Sequence, residues 1–138
     1  SGVTVGLIHG SLPHAMVMCA QPSRTHINNN PWIEIPPLPE LIAMHEMLVK
    51  HLRPAPVIAV SLNTYDLSVR AARAAIEKTR RQTGLPTTDP VRFDADPVVE
   101  AIDAFHQKRV RAVARRAVVA ESTRKKAKPT KRVAAGRS

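Results

Sequence analysis

The chain has 138 residues and 43% apolar content, enough for one domain of modest core. With one Trp, one Tyr and two Phe, it largely lacks the aromatic platforms on which single-stranded nucleic acid stacks. The formal charge of +10 is unevenly placed: residues 1–106 carry nine Lys/Arg against ten Asp/Glu, and residues 107–138 carry twelve against one.

No apolar stretch approaches the roughly 20 residues needed to span a bilayer, and the start lacks the pattern of a signal peptide. A cytoplasmic location and no membrane partner are therefore expected. The single Cys19 has no partner for a disulfide or a metal site; it lies in the apolar run Ala15–Ala20 and is expected to be a buried structural thiol.

The chain opens on apolar sequence, Gly2-Val3-Thr4-Val5-Gly6-Leu7-Ile8, as though it begins inside an element, which suggests a fragment. Ala15–Ala20 is short, continuous and apolar between Pro13 and Gln21-Pro22-Ser23, the pattern of a buried strand. Residues 21–39 have no usable period and repeated prolines, so a long loop is expected there. Leu41, Ile42, Met44, His45, Leu48, Val49 and Leu52 recur at helical spacing, with Pro39 at the entry and Arg53-Pro54 at the exit.

Val57-Ile58-Ala59-Val60 reads as an interior strand of a parallel sheet, followed by a loop from Ser61 to Thr64. Asp66 or Ser68 can cap the next helix, whose apolar residues Val69, Ala72, Ala75 and Ile76 lead to a stop at Gly84-Leu85-Pro86. A short segment over residues 87–95 precedes a helix that Pro97 can begin, carrying Val98, Val99, Ile102 and Phe105. Strand, helix, strand, helix, short segment and helix make an α/β pattern. Residues 107–121 are expected to extend the last helix as a basic segment, and residues 122–138 to form a disordered cationic tail.

Five stretches can be read together in order: His9-Gly10-Ser11-Leu12-Pro13, Gln21-Pro22-Ser23-Arg24-Thr25, Ile35-Pro36-Pro37-Leu38, Leu62-Asn63-Thr64 and Thr88-Asp89-Pro90-Val91-Arg92-Phe93. As a set they resemble the C-terminal part of a bacterial and archaeal P-loop family first catalogued as a domain of unknown function, number 1611. The resemblance covers residues 1–106. It implies a three-layer α/β fold with a partial parallel sheet of a P-loop, Rossmann-like domain. The family includes D-glutamate N-acetyltransferases, so it also implies transfer of an acetyl group from acetyl-CoA to the amine of a D-amino acid. Two positions depart from the pattern: Ala20 stands where a His precedes the Gln-Pro pair in many relatives, and Ser23 where Gly is common. A larger departure is that G-x-x-x-x-G-K-[ST] occurs nowhere in the 138 residues. The expectation is therefore a fragment inactive by itself, binding no cofactor alone, with the acetyl-CoA phosphate site upstream of Ser1.

Several residues are candidates for ligand contact. His9 and Ser11 either present an imidazole and a hydroxyl at a turn, or belong to a helix end at which Gly10 supplies a left-handed residue. Arg24 follows a strand end, where open parallel sheets bind ligands, and its guanidinium suits a carboxylate or phosphate, with Gln21 a weaker companion. The alternative for Arg24 is a surface side chain. Asn63 and Thr64 follow the second strand and either bind a base edge or turn the chain. Asp89 either accepts a substrate ammonium, serves as general base, or makes an Asx turn. The six histidines, at positions 9, 14, 26, 45, 51 and 106, show no metal-ligand spacing, and no metal is expected.

The acetyltransferase reading takes a small-molecule substrate through the complete protein and leaves a homo-oligomer open. It nominates no catalytic base. The rival is a nucleic-acid-associated protein binding without sequence preference through Arg124, Lys125, Lys126, Lys128, Lys131 and Arg132.

Overall fold

A computed structural model describes residues 2–126, with side chains through Thr123; Ser1 and residues 127–138 lie outside it. The expected tail contacts Lys128, Lys131 and Arg132 therefore fall outside the described residues. The chain divides into two compact units between Phe105 and His106.

The first unit is α/β. Helix α1 (Gly2–Ser11) leads to strand β1 (Met16–Ala20), a hairpin of β2 (His26–Ile27) and β3 (Asn30–Glu34), helix α2 (Leu38–Val49) and strand β4 (Val57–Leu62). Helix α3 (Val69–Thr83), the short strand β5 (Thr87–Thr88) and helix α4 (Asp96–Lys126) complete it, α4 continuing into the second unit. The main sheet is parallel, in the order β1-β4-β5, and helices flank it. Central β4 is buried along most of its length, as the apolar run Val57-Ile58-Ala59-Val60 requires. Met18, Val57, Val60, Leu62 and Ile76 form the core, with Leu38, Leu41 and Ile42 of α2 packed against it.

Local chemistry explains the boundaries. Helix α2 begins with Pro39 in its first turn, where a missing N–H costs no helical bond. Glu46 of α2 accepts a hydrogen bond from the Val57 N–H at 2.8 Å, fixing where β4 starts. Of the two candidate caps for α3, Ser68 is the one used: its Oγ accepts from the Ala71 N–H at 3.2 Å. Gly84 closes the helix at φ +68°, a left-handed conformation that a side chain disfavours. Ser68→Ala is expected to cost about 1 kcal/mol of stability, measurable by urea denaturation.

Four expectations need correction. Residues 21–39 are not a structureless loop, because β2 and β3 pair antiparallel across Asn28-Asn29. Asparagines readily take turn conformations, and Pro31 is tolerated in a two-stranded ribbon with an open edge. Cys19 is exposed rather than buried: β1 is an edge strand, so the face carrying Cys19 lacks the cover an interior strand would have. Gly10 is not the left-handed residue at the end of α1. His9, Gly10 and Ser11 are all helical and Leu12 takes φ +44°, since a residue preceding proline is disfavoured in the helical region. Finally, α4 remains helical through Lys126, five residues beyond the expected end at Glu121, so Ser122–Lys126 do not begin a disordered tail.

Candidate functional site at the C-terminal sheet edge

Parallel strands deliver the residues that follow them to one edge. Ala20, Leu62 and Thr88 end β1, β4 and β5, so Gln21 and Arg24, Asn63 and Thr64, and Asp89 all emerge at the same C-terminal edge. The Asn63 N–H donates to the Ala20 carbonyl at 2.8 Å, joining the first two of these loops just beyond the strands. An open cleft of about 560 Å³ is lined there by Gln21, Arg24, Asn63, Tyr65, Asp89 and Arg92, among others. A second, of about 540 Å³, shares Cys19, Ala20, Gln21, Arg24 and Leu62 and extends over Leu38, Leu41, Ala75 and Lys78. The loop after β1 is thus a common wall between two clefts.

His9 and Ser11 lie elsewhere. They end α1, which precedes β1, and so belong to the opposite edge of the sheet. His9 Nε2 is 2.9 Å from the Leu48 carbonyl near the end of α2, and Ser11 Oγ donates back to the Ile8 carbonyl at 3.5 Å. Arg53 ties down the same end, donating to the Leu12 carbonyl at 2.8 Å. This cluster joins α1 to α2 and is separate from the strand-end loops.

Asp89 is 2% exposed and both its oxygens are engaged. Oδ2 accepts from the Thr64 N–H at 2.9 Å and the Thr64 hydroxyl at 2.6 Å; Oδ1 accepts from the N–H groups of Val91 and Arg92 at 3.0 and 3.1 Å. Burial disfavours its charge, but the hydrogen bonds from Thr64, Arg92 and Val91 outweigh burial and hold the carboxyl below its ordinary pKa. A carboxylate so stabilised is a weak base, so its evident work is to brace the β4–α3 loop against the β5–α4 loop. Thr64, fully buried, is the other half of the brace.

Arg92, for which the sequence alone suggests no role, completes it. Its Nη1 donates to the Thr64 carbonyl and to the Leu67 carbonyl, the latter at 2.8 Å. The available signal was its position three residues after Asp89, within the segment Thr88–Phe93.

The exposed rim is different in character. Gln21 Nε2 donates to Ser23 Oγ at 3.1 Å and to Asp66 Oδ2 at 3.3 Å. Asp66 is held below the ordinary carboxylate pKa chiefly by its hydrogen bond with Ser23, against a desolvation penalty, with its own backbone N–H, Gln21 and the Arg24 charge each adding a smaller lowering effect. Arg24 is exposed, and its backbone N–H closes a turn to the Gln21 carbonyl at 3.1 Å. Asn63 is also exposed; its Oδ1 accepts from the Tyr65 N–H at 3.3 Å in an Asx turn. The sequence suggests Asp66 only as a helix cap, so its place on this rim is not legible from local pattern. The structure therefore gathers Gln21, Arg24 and Asn63 beside Asp66 on the surface, and keeps Thr64 and Asp89 beneath them.

A parallel α/β domain with polar loops converging at the strand C-termini is the class of fold that binds ligands outside that edge. The chain belongs to the P-loop domain family described as "Domain of unknown function (DUF1611_C)", whose model matches residues 1–99. It is similar to a protein named D-glutamate N-acetyltransferase from Tritonibacter scottomollicae, 34% identical over 105 residues, covering 75% of this chain and 32% of the relative. A protein of the same name from a Pseudoalteromonas species is 31% identical over 100 residues, covering 72% and 30%. The fold resembles the crystal structure of a family member from Anabaena variabilis ATCC 29413, with a TM-score of 0.71 and 41% identity over 75% of this chain and 31% of that one. The chain thus spans about a third of the length of these relatives. Among the described residues, no helix is long and apolar enough to cross a membrane.

Proposed function

We propose that this chain supplies one wall of the active site of an N-acetyltransferase that acts on the amine of a D-amino acid such as D-glutamate, with acetyl-CoA as donor. The observation that supports this reading best is the exposed pair of opposite charges, Arg24 and Asp66, at the strand C-termini of a domain similar to proteins of that name. An α-amino acid is itself a pair of opposite charges. Arg24 suits its carboxylate through bidentate hydrogen bonds, and Asp66 suits its ammonium. Gln21 and Asn63 complete the polar rim.

The reaction is attack of an uncharged amine on a thioester carbonyl, so the ammonium must lose a proton and the developing oxyanion must be stabilised. Asp66 and Asp89 both favour their charged forms, which suits them to hold and brace rather than to take the proton. Neither aspartate is nominated as the base. Acetyl-CoA carries phosphates, and no phosphate-loop sequence is present in the 138 residues to hold them. Arg24 and Lys78 offer positive charge beside an apolar floor in the 540 Å³ cleft.

The test is thiol release from acetyl-CoA in the presence of D-glutamate. The 138-residue chain alone is expected to show none above background. Joined to the part of the Tritonibacter relative that this chain does not cover, it is expected to turn over in the ordinary enzymatic range of about 1–10³ s⁻¹. Turnover by the chain alone, or a folded but inert joined protein, would overturn the reading.

A further inference from the structure

The second compact unit contains the distal part of α4, and every residue from His106 to Thr123 is exposed. An α-helix advances about 100° per residue. On that wheel Lys108, Arg109, Arg111, Arg115 and Arg116 fall within one arc of about 160°. Val110, Val113, Ala114 and Ala117 lie on the opposite side. No acidic residue occurs from Gln107 to Ala120, and no ion pair among the described residues engages the five cations.

Such an arrangement is unfavourable for a helix in isolation. Lys108 and Arg111 are three apart and Arg111 and Arg115 four apart, spacings at which like charges repel. A row of external negative charges converts that repulsion into attraction. Lys108 and Arg115, about 10.5 Å apart along the axis, can each meet a separate phosphate of a polyanion lying along the helix.

We propose that this face of α4 binds the phosphate backbone of double-stranded DNA without sequence preference. Single strands are disfavoured as the occupant, because residues 106–138 contain no Phe, Tyr or Trp on which bases could stack. A membrane surface is disfavoured because the apolar residues of the opposite face are Val and Ala, where interfacial helices bury Leu, Phe or Trp. Four of the five cations are Arg, whose planar fork matches phosphate oxygens. The contact is thereby placed on an ordered helix, in addition to the cations expected of residues 124–132, and it does not depend on the transferase reading.

The full 138-residue chain should be titrated into a fluorescent 20-base-pair duplex over a range of salt concentrations. A variant of unchanged net charge, carrying Arg111→Ala and Arg115→Ala together with Ala114→Arg and Ala117→Arg, moves two cations off the arc. Its log–log salt slope is expected to be shallower by about 2, one for each lost phosphate contact, with helical content by circular dichroism unchanged. Equal slope and affinity in the two proteins would show that net charge alone governs binding and would overturn the proposal. So would tighter binding to phosphatidylserine vesicles than to the duplex at the same salt, or equal affinity for a single strand of the same length.

Discussion

Asp89→Ala is expected to destabilise the first compact unit by about 3–5 kcal/mol at neutral pH, the largest effect of any single substitution considered. The side chain accepts four hydrogen bonds, and two of the donors belong to the fully buried Thr64. Truncation leaves those donors without an acceptor in a place water does not reach freely, at roughly 1–3 kcal/mol for each buried group left unpaired. Since a domain of this size is stable by only about 5–15 kcal/mol, denaturant melts should separate the variant clearly from the parent. Asp89→Asn retains one oxygen but turns an amide N–H₂ toward donors, so a smaller loss is expected.

The same residue sets a pH dependence. Its carboxyl ionises below the ordinary carboxylate range in the folded protein, so folding favours the charged form. That stability is complete above the pKa of an unfolded aspartate, and it is lost as the pH falls from there through the lower folded value. Thermal melts of the parent should therefore decline on acidification below about pH 4, and Asp89→Asn should lack that component. Asp66 shifts in the same direction, but it is exposed and screened, and its contribution is correspondingly minor.

What was legible in the sequence follows how local the causes are. The first four residues of β4, Val57-Ile58-Ala59-Val60, are apolar and mostly β-branched, as suits a strand buried along most of its length, and helix α3 carries its own cap and stop in Ser68 and Gly84. The convergence of Gln21, Arg24, Asn63, Thr64 and Asp89 was also legible, because every residue that follows a parallel strand reaches the same edge. The hairpin was not. Strand β2 has two residues, too few for a period to show, and its partner contains a proline that argues against a strand. Cys19 was misplaced because an apolar run reports that a strand can be buried, whereas its exposure depends on which strands lie beside it. The division of the edge into a buried brace and an exposed rim was likewise beyond local pattern. Asp89 and Asp66 each follow a strand within a few residues, and only the path of the Thr64 backbone decides which of them is enclosed.

Arg24→Lys, in the chain joined to a phosphate-loop-bearing segment, is expected to lower kcat/KM for D-glutamate by about ten- to a hundredfold, and Arg24→Ala by at least as much. The lysine keeps the charge but offers a single ammonium where the guanidinium presents a planar fork to two carboxylate oxygens. Charge-assisted hydrogen bonds of that kind are worth about 1.5–3 kcal/mol, which sets the factor. Thermal melts of both variants should match the parent, because Arg24 is exposed and the hydrogen bond that ties it to the Gln21 carbonyl is made by its backbone N–H, which substitution leaves in place. Asp66→Asn provides the matching measurement on the other charge. If Asp66 holds the substrate ammonium, its loss should raise KM more at pH 7, where the amine is protonated, than at pH 10, where much of it is not. Folded Arg24 variants with near-normal kinetics would make Arg24 a surface side chain, and carboxylate recognition would then fall to Asn63 and Arg92 across the same cleft.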